Sequence, residues 1–139
     1  MSCPYCDDGP ALADFAYKIG DMSEYSTLYL FKEQSHPGRL VVAFKGHKKE
    51  LCDLSPEELS GHMADVARAA ALIQKLWRPD KINYGAYGDL LWHHHFHLVP
   101  KYKDNFEWGG TFHINPHEHE LTDAEAEVIV GKIKEELGI

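Results

Sequence analysis

Trp92-His93-His94-His95-Phe96-His97-Leu98-Val99-Pro100 places four imidazoles within five positions. In an extended strand side chains alternate between faces, so His93, His95 and His97 share one face while His94 and Phe96 take the other. A row of three imidazoles makes a poor core, because each ring needs hydrogen-bond partners and a protonated ring repels its neighbours. The row therefore points to chemistry. Three uses fit it: a three-histidine zinc site with an open water position, a central imidazole nucleophile attacking phosphorus or carbon, and proton shuttling. The row alone leaves all three open.

The flanking segments organise around this strand, which the pattern extends from about Leu90 to Val99. Thr27-Leu28-Tyr29-Leu30-Phe31 and Arg39-Leu40-Val41-Val42-Ala43-Phe44 are aromatic and β-branched, and Ser35-His36-Pro37-Gly38 between them is a turn. They read as an antiparallel hairpin. Ser55-Pro56-Glu57-Glu58 forms a capping box, and Leu59, Met63, Val66, Ala70, Ile73 and Trp77 then mark one apolar stripe of a helix that ends at Pro79. Lys81-Ile82-Asn83-Tyr84-Gly85 is a short strand. Thr122 and Glu125 open a C-terminal helix with Val128, Ile129, Ile133 and Leu137 on its buried side. Strands grouped with two separate helices predict an α+β fold with a mostly antiparallel sheet.

The 139 residues suit one domain over 1–139, and no repeat or long linker divides them. A net charge of −8 argues against a nucleic-acid partner. No apolar run suffices to cross a bilayer, and Met1–Asp8 lacks a basic, apolar leader, so a cytoplasmic protein is expected. In a reducing compartment the Cys3-x-x-Cys6 pair suggests metal or redox chemistry.

The motif resembles the signature of the histidine triad family of nucleotide hydrolases and transferases, His-φ-His-φ-His-φ-φ with φ apolar, here His93-His94-His95-Phe96-His97-Leu98-Val99. The resemblance also covers Gly38-Arg39-Leu40-Val41-Val42, Lys45-Gly46-His47, the helix after Ser55, and Asn83-x-Gly85, so it spans most of the chain. It implies that His95 attacks the α-phosphorus of a nucleotide, that His97 donates to the phosphate oxygens, and that no catalytic cofactor is needed. Nucleoside phosphoramidates or dinucleoside polyphosphates would be the substrates, and the protein would be a homodimer. Asn83 is implied to touch the nucleotide, and Glu33 is the nearest candidate for the ribose. Family members often carry Gly-Gln-Ser or Gly-Gln-Thr before the triad; here Gly88-Asp89-Leu90 stands there, placing an acid, Asp89, at the leaving-group position. The resemblance further implies a structural zinc held by Cys3, Cys6, His47 and His93. Two rivals remain: a zinc hydrolase using His93, His95 and His97 as ligands, and a non-enzymatic metal-binding module.

Other residues carry weaker expectations. His94 reads as half-buried and locally hydrogen-bonded, Cys52 as a buried small apolar residue, and His36 and His62 as surface residues. Lys101 to Leu121 is irregular. Its His113, His117 and His119 suit a solvated tail better than a second metal site, and Trp108 could reach over a nucleotide pocket or pack at a dimer interface.

Overall fold

The computed structural model describes residues 3–7 and 9–139, so the expectation for the Met1–Asp8 segment lies partly outside the described residues. Five strands form one antiparallel sheet: β1 (Ala16–Asp21), β2 (Ser26–Phe31), β3 (Leu40–Phe44), β4 (Lys81–Gly85) and β5 (His95–Lys101). Their order is β1-β2-β3-β5-β4, so β5 lies inside the sheet and β4 at its edge. The expected hairpin is present, with Tyr29 opposite Val41 and Leu28 opposite Val42. The α+β class and the antiparallel sheet stand as read.

Both faces of β2 and β3 are buried, which explains their continuous apolar runs. On one face Leu28, Leu30, Leu40, Val42 and Leu98 pack under α3 (Pro56–Trp77) and α4 (Asp123–Leu137). The opposite face carries Tyr29, Phe31, Val41 and Ala43, covered by the short helices α1 (Pro4–Asp7) and α2 (Pro10–Ala13). Both capping boxes form: Ser55 Oγ accepts from the Glu58 amide and Thr122 Oγ1 from that of Glu125.

Several expectations need correction. The triad strand begins at His95, not Leu90, because His94 donates its amide to Lys48 O and His93 donates to Leu91 O. β1 carried no clear sequence signal, since polar Lys18 and a register shift at Gly20 interrupt its alternation. Val128 points to solvent, 61% exposed, while Ala126 takes its place in the core. Leu59 and Met63, at the first turns of α3, are also exposed. Cys52 is exposed, whereas His36 and His62 are buried.

Candidate active site

β5 holds His95 opposite Ala43, and His97 opposite both Val41 and Gly85, so small or branched neighbours leave room for the rings. The two imidazoles are 4% and 5% exposed, with ring centroids 5.3 Å apart. His95 Nδ1 donates to His93 O at 2.7 Å, which leaves the lone pair on Nε2. Burial keeps His95 below the ordinary histidine range, so the ring is neutral at neutral pH. His97 is pushed down to about 2, first by burial and then by the Arg39 charge. Arg39 Nη2 donates to His97 Nδ1 at 3.1 Å, which places the His97 proton on Nε2.

Both histidines line a cavity of about 510 Å³ whose walls include Tyr5, Phe31, Tyr87, Asp89, Leu91 and Asn115. Gly88 brings the β4–β5 loop onto His95. Its φ is +116°, and a Cβ there would lie 2.5 Å from Leu91 O and 3.7 Å from His95 Cε1, so only glycine fits without strain. Asp89 also lines the cavity and is itself solvent-exposed.

Cys3, Cys6, His47 and His93 converge beside this cavity, with one ligand atom from each lying within 4.8 Å of the others. His93 Nδ1 is 3.4 Å from both thiols and 3.3 Å from His47 Nδ1, and Cys6 Sγ is 3.3 Å from His47 Nδ1. In a tetrahedral zinc site, bonds of about 2.0–2.3 Å put neighbouring ligand atoms roughly 3.3–3.7 Å apart. The four-residue set therefore fits a closed tetrahedral divalent metal. His93 Nε2 donates to Phe44 O at 2.5 Å, fixing the tautomer that frees Nδ1 for a metal. His95 and His97 do not belong to this set, and His93 has both ring nitrogens engaged away from them. A three-histidine metal site on His93, His95 and His97 does not form. Between the two cysteines, Tyr5 packs its ring 4.9 Å from His95 and 5.4 Å from His93.

Residues 102–121 form a strap across the face that carries His95 and His97 rather than a free tail. Arg39 Nη1 donates to His113 O, Lys101 Nζ to Gly110 O and Tyr102 Oη to Pro37 O. The Gln34 amide donates to His119 O and the Leu121 amide to Lys32 O. The buried His36 donates through Nε2 to Glu107 Oε1 at 2.7 Å, and His113 holds the other carboxylate oxygen. The strap thereby sets Ile114 and Asn115 in the cavity wall. Its own histidines at 113, 117 and 119 remain solvent-facing and form no metal-ligating group among the described residues.

Two suggested ligand residues lie elsewhere. Glu33 is buried, and its carboxylate accepts from the Ser35 amide, the Ser35 hydroxyl and the His119 amide, so it clamps the strap instead of lining the cavity. Asn83 lines a smaller neighbouring cavity with Tyr84 and Phe112, and its Oδ1 lies 3.5 Å from Lys101 Nζ. Trp108 is half-exposed and does not line the cavity that holds His95 and His97. His94 turns to the opposite face, buried at 5.0 Å from the His62 ring, with Nε2 unpartnered rather than locally bonded. Sequence reading missed Arg39, Tyr5, Tyr87 and Asn115. Arg39 stands at the head of an apolar run, directly after a turn, where a basic residue is ordinary.

No protein-family model matches the chain, and no curated protein sequence does. Solved structures do. A histidine triad protein from Bradyrhizobium japonicum superposes with a TM-score of 0.82 at 18% identity, over 93% of this chain and 96% of that one. One from Sinorhizobium meliloti gives 0.81 at 20% identity, over 91% and 93%. A hypothetical histidine triad nucleotide-binding protein from Sulfolobus tokodaii gives 0.73 at 17% identity, over 98% and 92%.

Proposed function

We propose that this chain, which has the histidine triad fold, is a nucleotide hydrolase or transferase that cleaves at an α-phosphate through His95. The observation that carries this reading is the His95 imidazole itself: neutral, with Nδ1–H committed to His93 O and the remaining nitrogen free in a ligand-sized cavity. The similarity to a protein named for nucleotide binding supports the substrate class.

In the proposed reaction His95 Nε2 attacks the α-phosphorus, a P–N bond forms to the ring, and the bond to the leaving group breaks as that group takes a proton from solvent water, which regains one from the water molecule consumed in the second step. His97 donates its Nε2–H to a non-bridging oxygen as charge builds there. Water then adds at phosphorus, breaking the P–N bond, releasing nucleoside monophosphate and restoring neutral His95. Asp89 at the cavity rim places a carboxylate near the departing group and disfavours a strongly anionic one, which favours phosphoramidates over dinucleoside polyphosphates. Cys3, Cys6, His47 and His93 would hold a zinc ion, whose contribution is structural because all four positions are filled by protein. The protein is read as a homodimer, as the family resemblance implies. Sedimentation at two concentrations tests that state.

The direct test is incubation with adenosine 5′-phosphoramidate. AMP release and a nucleotidyl adduct on His95 are expected, both lost in His95→Asn. An enzyme that releases no AMP from this substrate or from a dinucleoside polyphosphate would overturn the reading.

A further inference from the structure

Arg39 is wholly buried, yet no carboxylate lies within ion-pairing distance of it among the described residues. Its Nη2 donates to His97 Nδ1 at 3.1 Å and its Nη1 to His113 O at 3.3 Å. The guanidinium carbon sits 4.1 Å over the Phe31 ring and 5.2 Å from that of Phe112, and Nε has no partner. Burying a cation without a paired anion is costly, so such an arrangement needs a compensating charge. Glu33 and Glu107 act on it through space without a direct bond, since the Glu33 oxygens accept from Ser35 and His119 and those of Glu107 from His36 and His113. The remaining direction is through His97 into the cavity.

We propose that Arg39 is a positioning residue for phosphate: it fixes the His97 proton on Nε2 and stands one imidazole behind the bound phosphate as its countercharge. The proposal rests on the nucleotide reading of the cavity. It accounts for a feature that packing does not, namely a guanidinium clamped between two aromatic rings and aimed at an imidazole rather than at an acid. A lone His97 could carry its proton on either nitrogen, and only the Nε2 tautomer donates into the cavity while Nδ1 faces Arg39. A phosphate received there meets a donor with a formal positive charge directly behind it, in surroundings from which water is largely excluded.

Two measurements separate this role from a structural one. Ring-nitrogen NMR of the ligand-free protein reads the His97 tautomer, and calorimetry compares AMP with uncharged adenosine. In Arg39→Met the His97 proton is expected to move at least partly to Nδ1. AMP affinity should fall about ten- to a hundredfold, as for a lost charge-assisted contact, while adenosine affinity changes less than about twofold. Arg39→Gln keeps a neutral donor: the tautomer should persist while AMP affinity still falls. Arg39→Lys should recover part of the AMP affinity. Equal losses for AMP and adenosine in the folded Met or Gln variant, or an unchanged tautomer together with an unchanged AMP-to-adenosine ratio in the folded Met variant, would overturn the proposal. If Met and Gln variants do not fold, a Lys variant with the His97 proton on Nδ1 and wild-type AMP affinity would do the same. A wild-type protein inert towards nucleotide substrates would instead strike the functional reading, because the tautomer is measured without substrate.

Discussion

At His95 a single hydrogen bond decides which ring nitrogen can react. The Nδ1 contact to His93 O makes the lone pair available on Nε2, and burial keeps it unprotonated. His95→Asn is therefore expected to abolish turnover while leaving the metal content of the protein unchanged, whereas Cys6→Ser should lose the metal; atomic absorption alongside AMP release distinguishes the two. If His95→Asn lost its metal, His95 would be a ligand. Gly88 offers a second check. Its φ of +116°, and the 2.5 Å that would separate an added Cβ from Leu91 O, mean that Gly88→Ala must shift the loop that leans on His95. We expect a stability loss of roughly 1–3 kcal/mol in urea unfolding, with a larger proportional loss in kcat than in substrate affinity. His94 teaches a different lesson. It lies on the far side of the strand against His62, is pushed down to about 4, chiefly by burial, and leaves Nε2 without a partner. An apolar residue such as Leu suits that place better.

The strands and helices differ in how openly their sequences declare them. The α3 and α4 capping boxes and the β2–β3 hairpin follow from local chemistry, and they form where the sequence places them. β1 does not, because Gly20 and Lys18 break the alternation and only pairing with β2 makes it a strand. The row of histidines marked β5, yet the strand's start depended on where His93 and His94 find backbone partners, at Leu91 and Lys48. Arg39 was out of reach for a related reason: a buried charge is tolerated through contacts from β5 and the strap, far away in sequence. The strap itself looked like a tail because its anchors are backbone groups and isolated side chains. Glu33 is one of them. Desolvation works against its ionisation, but amide donors at His119 and Ser35 and the Ser35 hydroxyl outweigh it and hold the carboxyl below its usual range. Glu33→Gln should loosen residues 102–121, seen as faster amide exchange there with little change in α3.

Acid acts on the whole molecule through several groups of the same sign. His36, His62, His94 and His97 all sit below the ordinary histidine range, with burial the leading cause. The unfolded chain binds their protons near its own pKa of about 6.5 while the folded chain does not, so stability is present above that value and falls as pH drops below it. The lowered carboxyls of Glu33 and Glu107 extend the decline below about pH 4.3, where their unfolded counterparts begin to protonate. Thermal melts should therefore lose ground from pH 7.5 to 5.5, well before the carboxylate range. His94→Leu should narrow that difference without changing turnover at pH 7.5; a flat melting profile between these values would refute the assignment.

Tyr5 is held between two candidate metal ligands, Cys3 and Cys6, and forms part of the wall against His95. That cavity is thus bounded partly by a segment that a metal on these residues would keep in place. Stripping the metal with a chelator should slow turnover, although no metal touches the reacting phosphorus. The loss should follow the release of the N-terminal segment, and a Tyr5→Ala protein should show less of it because that wall is already gone. Chelator sensitivity here would imitate a metalloenzyme, and specific activity would serve as a gauge of how completely a preparation is loaded.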